Sequence, residues 1–108
     1  KETYSKQSAP GLVELLWRHG QSDPRGRDHF VNRTATISDD HLAFIQQGIA
    51  AVDLIDAGRT TTFPPQWNTV SATVDKLDAG MLGLVGDVLL QTLADDQFSV
   101  WLGAQESA

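Results

Sequence analysis

Ser38-Asp39-Asp40-His41-Leu42-Ala43-Phe44-Ile45 followed by Gln47-Gly48-Ile49-Ala50-Ala51-Val52-Asp53-Leu54-Ile55-Asp56 is the stretch on which the reading of the fold turns. Ser38, Asp39 and Asp40 are capping residues, Leu42, Phe44 and Ile45 form one apolar side, and Gly48 stops the turn, so a short helix is predicted here. Ile49 to Ile55 is then a nearly continuous apolar run, the pattern of a strand covered on both faces in an α/β sheet. Asp53 interrupts that run and marks a position to follow.

Upstream, His29 to Ile37 is rich in Phe, Val, Thr and Ile and predicts a short strand. Before it, Ser22-Asp23-Pro24-Arg25-Gly26 is dense in turn formers. A helix is predicted over Ala9–His19, with Pro10 in its first turn and Gly20 at its end. Downstream, a polar connection runs from Asp56 to Thr73 and carries Pro64-Pro65 and Trp67. The last strong element spans Asp78–Ala94, where Met81, Leu82, Leu84, Val85, Val88, Leu89 and Leu93 recur at helical spacing in a stripe wide enough to predict deep burial. Phe98, Val100, Trp101 and Leu102 stand in an otherwise polar tail, residues 95–108, that the pattern leaves unplaced.

These elements fit one domain of 108 residues. Hydrophobic residues make up 41% and charged ones 20%, enough apolar matter for a core. Eight Lys and Arg against 14 Asp and Glu give a net charge of −6. The imbalance is uneven: six basic and four acidic residues lie up to Ser38, two basic and ten acidic ones beyond it. Such a balance argues against nucleic acid and anionic membrane surfaces as partners. With no cysteine, disulfides, thiolate metal sites and cysteine nucleophiles are excluded, and the compartment is left open. The absence of an initiator Met points to a trimmed or excerpted chain.

Several short patterns compete for chemistry. Arg18-His19-Gly20 resembles the Arg-His-Gly signature of histidine phosphatases, which would make His19 the phosphoryl acceptor and Arg18 a phosphate ligand. That chemistry needs a second His, a second Arg and an acid, and the tripeptide should follow a strand, not a helix. The alternative is a helix end whose cations complement the dipole. Gly80, Gly83 and Gly86 lack the order and the preceding strand of a dinucleotide loop, so close helix packing is the expectation. His19, His29 and His41 show no i, i+4 pair and read as isolated surface histidines. Asn32-Arg33-Thr34 fits the N-glycosylation pattern, a triplet frequent by chance.

The order of the quoted segments resembles the C-terminal part of the zinc aminopeptidase and glutaminyl cyclase family. There an Asp-Asp-His-x-Pro-Phe segment leads through Gly-Ile-Pro into a strand, then to a Trp-His-Thr loop and a closing helix. Phe63-Pro64-Pro65-Gln66-Trp67-Asn68-Thr69 matches the loop, and Thr73-Val74-Asp75-Lys76-Leu77-Asp78 with the helix through Gly86 matches the family's segment after that loop. Leu15-Leu16-Trp17 and Asp28-His29-Phe30-Val31 fit as well, while Ala43 and Ala50 replace the family's prolines. The resemblance implies an α/β chain, a fragment of a three-layer mixed-sheet zinc-exopeptidase fold in the order helix, short strand, helix, strand, long loop, helix.

It also implies site residues. Asp39 matches an acidic residue of a hydrogen-bonded network near the substrate in the cyclases, although Asp39 and Asp40 equally suit helix capping. Phe63 and Trp67 match aromatics of the substrate pocket, and Trp67 alternatively suits a subunit contact. The family's zinc-ligating His is replaced by Asn68, whose neutral amide is a poor ligand for this ion. The remaining ligands and the general base lie upstream of the matched segment. The expectation is a truncated or orphan homologue without catalysis as an isolated chain, holding no zinc of its own and keeping an assembly or ligand-binding role. The alternative is one piece of an active enzyme whose metal ligands lie on other sequence. An unpaired edge on the Ile49 strand predicts a homo-oligomer or a packing rearranged from the parent fold, and a missing N-terminal portion is a further candidate partner.

Overall fold

The computed structural model of the chain describes residues 1–55 and 79–106. Five helices occur among them: α1 (Thr3–Ser8), α2 (Pro10–Ser22), α3 (His41–Gln46), α4 (Ala79–Ala94) and α5 (Asp96–Glu106).

Glu2 starts α1. Its carboxylate accepts from the backbone N–H of Tyr4 at 3.0 Å and of Ser5 at 2.8 Å, two of the donors that a helix start leaves without partners. Pro10 ends α1, because a residue before proline is driven out of the helical region, and Ala9 accordingly sits at φ −139°. The same proline opens α2, where its missing N–H costs nothing. The sequence pattern ends α2 at Gly20, yet the helix runs on to Ser22. Gly20 serves packing instead: it is buried under the Phe30 ring, where a Cβ would overlap that ring.

Val13, Leu15 and Leu16 are the buried apolar side of α2. Leu16 joins Phe30, Leu84 and Val88 in the core, with Leu12, Trp17, Val52, Leu54 and Met81 packed around it. Trp17 meets Phe30 edge to face at 5.2 Å and donates its Nε1–H to the Val31 carbonyl at 2.8 Å. That pair holds the turn at residues 23–30 against α2.

Both predicted strands are corrected. Among the described residues there is no strand, only one isolated parallel bridge between Glu2 and Ala35. The β-forming residues of His29–Ile37 find no neighbouring strand beyond that point, and propensity without cross-strand partners does not make a sheet. In Ile49–Ile55 the N–H groups of Ala51 and Asp53 donate to the hydroxyls of Ser8 and Ser5 at 3.1 and 2.8 Å. The backbone donors that a sheet would pair are thus taken by α1.

The helix before this segment stands as the sequence predicts. α3 closes at Gln46, and Gly48 takes φ +77° just beyond it, the left-handed conformation that glycine adopts without steric cost.

α4 packs against α2 through Leu84 and Val88, while Thr92 returns its hydroxyl to the Val88 carbonyl at 2.8 Å. The expectation of deep burial fails on its other side. Leu82, Leu90 and Leu93 are more than half exposed and Leu89 is 40% exposed. Gly83 and Gly86 face open space, so the close packing expected of the glycines is absent at these two. The unplaced cluster of the tail lies on α5, with Phe98 and Trp101 stacked at 5.9 Å. No helix among the described residues is long and apolar enough to cross a membrane.

Candidate functional site

Asp39, the one matched site residue inside the described segments, is exposed just ahead of α3. Its Oδ1 accepts the Asp40 N–H at 2.8 Å and its carbonyl accepts the Leu42 N–H at 3.1 Å. Phe63, Trp67 and Asn68 lie outside the described residues.

What Asp39 borders is a buried acid–imidazole cluster. His41, in the first position of α3, points inward with its side chain 4% exposed and is no surface histidine. Its Nε2 lies 2.8 Å from Oε1 of Glu2, itself 2% exposed, and its Nδ1 faces Oδ2 of Asp53 at 3.5 Å. The Tyr4 ring covers it with centroids 6.4 Å apart.

Glu2 gathers further donors. Besides the two N–H groups of α1 it accepts from Ser5 Oγ at 2.8 Å and from the Ile37 N–H at 3.2 Å. Burial alone would push its carboxyl up, but these hydrogen bonds favour the charged form and hold it below the usual carboxylate range. An ionised Glu2 can only accept, so Nε2–H donates to it, and the imidazole's other nitrogen faces Asp53.

Asp53 is displaced in the other direction. Burial first, then the charge of Asp39, pushes its carboxyl above the usual range, and only His41 opposes this. A hydrogen bond with Asp39 and the charge of Glu2 add to the rise. Its Oδ2 and the Nδ1 of His41 are both buried without a hydrogen-bond partner. Glu2 and Asp53 thus flank the imidazole and Asp39 borders Asp53, and Asp53 is the carboxylate whose charge the site disfavours.

Zinc does not fit this set. Glu2 and Asp53 approach opposite nitrogens of one ring, so their oxygens do not converge on a point that an ion could occupy. Among the described residues no group of three or more His, Asp or Glu side chains is arranged to hold a metal.

The phosphatase-like tripeptide is otherwise engaged. His19 lies inside α2 and its Nε2 is 2.8 Å from Asp95 Oδ2, the same oxygen that Arg18 approaches at 3.0 Å. Asp95 also accepts the Gln97 N–H at 2.9 Å and so caps α5. The three residues tie α2 to the α4–α5 junction and form no phosphate loop. His29 is exposed.

Sequence reasoning misses Glu2 and misplaces His41. The usable signal is Asp53, whose place in an apolar run demands a partner. Capping preference groups Asp39 with Asp40, yet Asp40 makes no side-chain capping bond to α3.

No curated protein and no solved structure matches the chain. The sequence pattern of peptidase family M28 matches residues 3–93, a span that includes α1, Asp39, His41 and Asp53. A match over that much of its length identifies the chain as peptidase-type: it belongs to peptidase family M28.

Proposed function

We propose that the chain is a truncated or orphan homologue of a zinc aminopeptidase or glutaminyl cyclase, without catalysis in isolation, whose remaining role is assembly or ligand binding. The observation that carries this reading is the closed state of the acid cluster. Glu2 is spent on His41 and the α1 start, Asp53 has its Oδ2 buried beside His41 away from solvent, and Asp39 is engaged at the α3 start and with Asp53. A general base needs a free acceptor within reach of substrate, and this cluster offers only the exposed Asp39.

Purified chain loaded with zinc is expected to give no turnover of amino-acid p-nitroanilides or of an N-terminal glutaminyl peptide. Turnover that disappears in Asp39→Asn would overturn the proposal. Light scattering is expected to find a homo-oligomer, and a monomer at all concentrations would remove that part.

A second reading, one piece of an active M28 enzyme, draws on the exposed leucines of α4, an apolar face that other sequence would cover. Mixing with a longer M28 chain that carries the metal ligands should then yield activity, and inactivity counts against it.

A further inference from the structure

We propose that the uncovered side of α4 joins two copies of this chain, the helices running antiparallel and crossing at Gly86. This rests on the assembly role proposed above and names the partner and the surface. At 3.6 residues per turn, Leu82, Leu89, Leu90 and Leu93 fall on the side of α4 opposite buried Leu84 and Val88. A helix that is apolar on every side is the pattern of a buried helix. The one charged side chain of α4 is Asp87, at the margin of this side, and Arg25 holds it at 2.8 Å. Two copies of a chain of net charge −6 repel one another at a distance, and this face brings no unpaired charge into their contact.

The order of sizes along the helix identifies the occupant as a second copy. Ala79, Leu82, Gly83 and Gly86 stand at i, i+3, i+4 and i+7, the corners of a hole that receives a side chain from a facing helix. Three of the four are Gly or Ala, and a Cβ added at Gly83 or Gly86 meets nothing within 4 Å. The large side chains come later, at Leu89, Leu90 and Leu93. In a parallel pair small residues would meet small ones and leave voids, which forfeit contact energy. Turned end for end about Gly86, the helix sets Gly83 opposite Leu89 of the second copy, Leu82 opposite Leu90, and Ala79 opposite Leu93. Leucines of each copy then fill the hole of the other. The same patch serves both sides, so the assembly closes at two.

A single helix pair is smaller than the standard interface of about 1,600 Å², so dimerisation is expected in the micromolar range. Sedimentation velocity on the full chain should show monomer passing to dimer between about 1 and 500 μM. Leu90→Glu, at an exposed position, removes two buried leucines per dimer and adds two charges, and should weaken association at least about hundredfold. Gly83→Leu fills the hole while favouring the helix and touching nothing in its own chain. It should weaken association about tenfold without lowering the unfolding midpoint, so its effect is not a failure to fold. The chain has no cysteine, so Gly86→Cys should be joined to its own copy by a short bismaleimide, whereas Gln7→Cys, exposed on α1, should not.

A dimer that survives both Leu90→Glu and Gly83→Leu overturns the assignment of α4 and leaves the assembly role standing. A wild-type chain that stays monomeric at every concentration overturns both. Binding of the monomer to a longer M28 chain, lost in Leu90→Glu, gives the face to other sequence and also overturns the proposal.

Discussion

His41 Nε2 and Glu2 Oε1 lie 2.8 Å apart, 39 positions distant in the chain, with both side chains almost wholly buried. The contact fastens α1 to α3 and leaves each group dependent on the other, because a charge buried without its partner is far costlier than the pair.

Glu2→Ala removes the acceptor for Tyr4, Ser5, Ile37 and His41 at once. The expected loss is about 3 kcal/mol, at the lower end of the range for breaking a buried pair, read from urea unfolding. Glu2→Gln should lose less, since its amide oxygen still accepts.

Asp53 and Glu2 set opposite pH dependences. The depressed Glu2 contributes stability that is present above its unfolded-state pKa and is lost as pH falls through its folded value. For Asp53 the folded carboxyl holds its proton longer than the unfolded one, so its cost appears as pH rises from the ordinary carboxylate range to the folded pKa. Asp53→Asn should therefore raise the Tm at about pH 7 and bring little gain at about pH 3, where the carboxyl is protonated in both states. Equal gains at both pH values would show that charge is not the cause.

Gly20→Ala drives a methyl group into the Phe30 ring. Phe30 is a core residue held edge-on by Trp17, so the change should cost about 2 kcal/mol by overpacking. A near-ultraviolet circular dichroism change from the displaced Trp17 should accompany it.

Two leucines on α4 should behave as different residues. Leu84→Ala, at 1% exposure, should cost about 2 to 5 kcal/mol, and Leu90→Ala, at 66%, less than about 0.5. If Leu90 lies in a subunit contact, its substitution shifts the oligomeric state and not the unfolding midpoint of the dissociated chain.

The helices are legible in the sequence wherever capping and period agree. Pro10 marks the start of α2, Gly48 the end of α3, and the leucines of α4 its whole length. α1 escapes because its cap is a glutamate, an uncommon N-cap residue whose partners include Ile37 and His41, far along the chain. The predicted strands fail for a related reason: β propensity in His29–Ile37 and Ile49–Ile55 states what the residues tolerate, while pairing needs a neighbour that the described chain does not supply. Family likeness singles out Asp39 alone, and the buried cluster of Glu2, His41 and Asp53 beside it is not legible, since only folding brings residues 2, 41 and 53 together.

The bridge between Glu2 and Ala35, with the His41 contact beside it, also dictates an order of events. Six residues are too few for a helix to persist alone in water, where roughly 12 to 15 are needed. α1 can settle only after its cap is caught by residues 35 to 53, and that capture closes a loop of dozens of residues. The α2–α4 core closes a longer loop still, but it joins helices of 13 and 16 residues, long enough to form before they meet. Mutations along α1 should accordingly speed unfolding and leave the folding rate nearly unchanged, the mark of contacts made after the transition state.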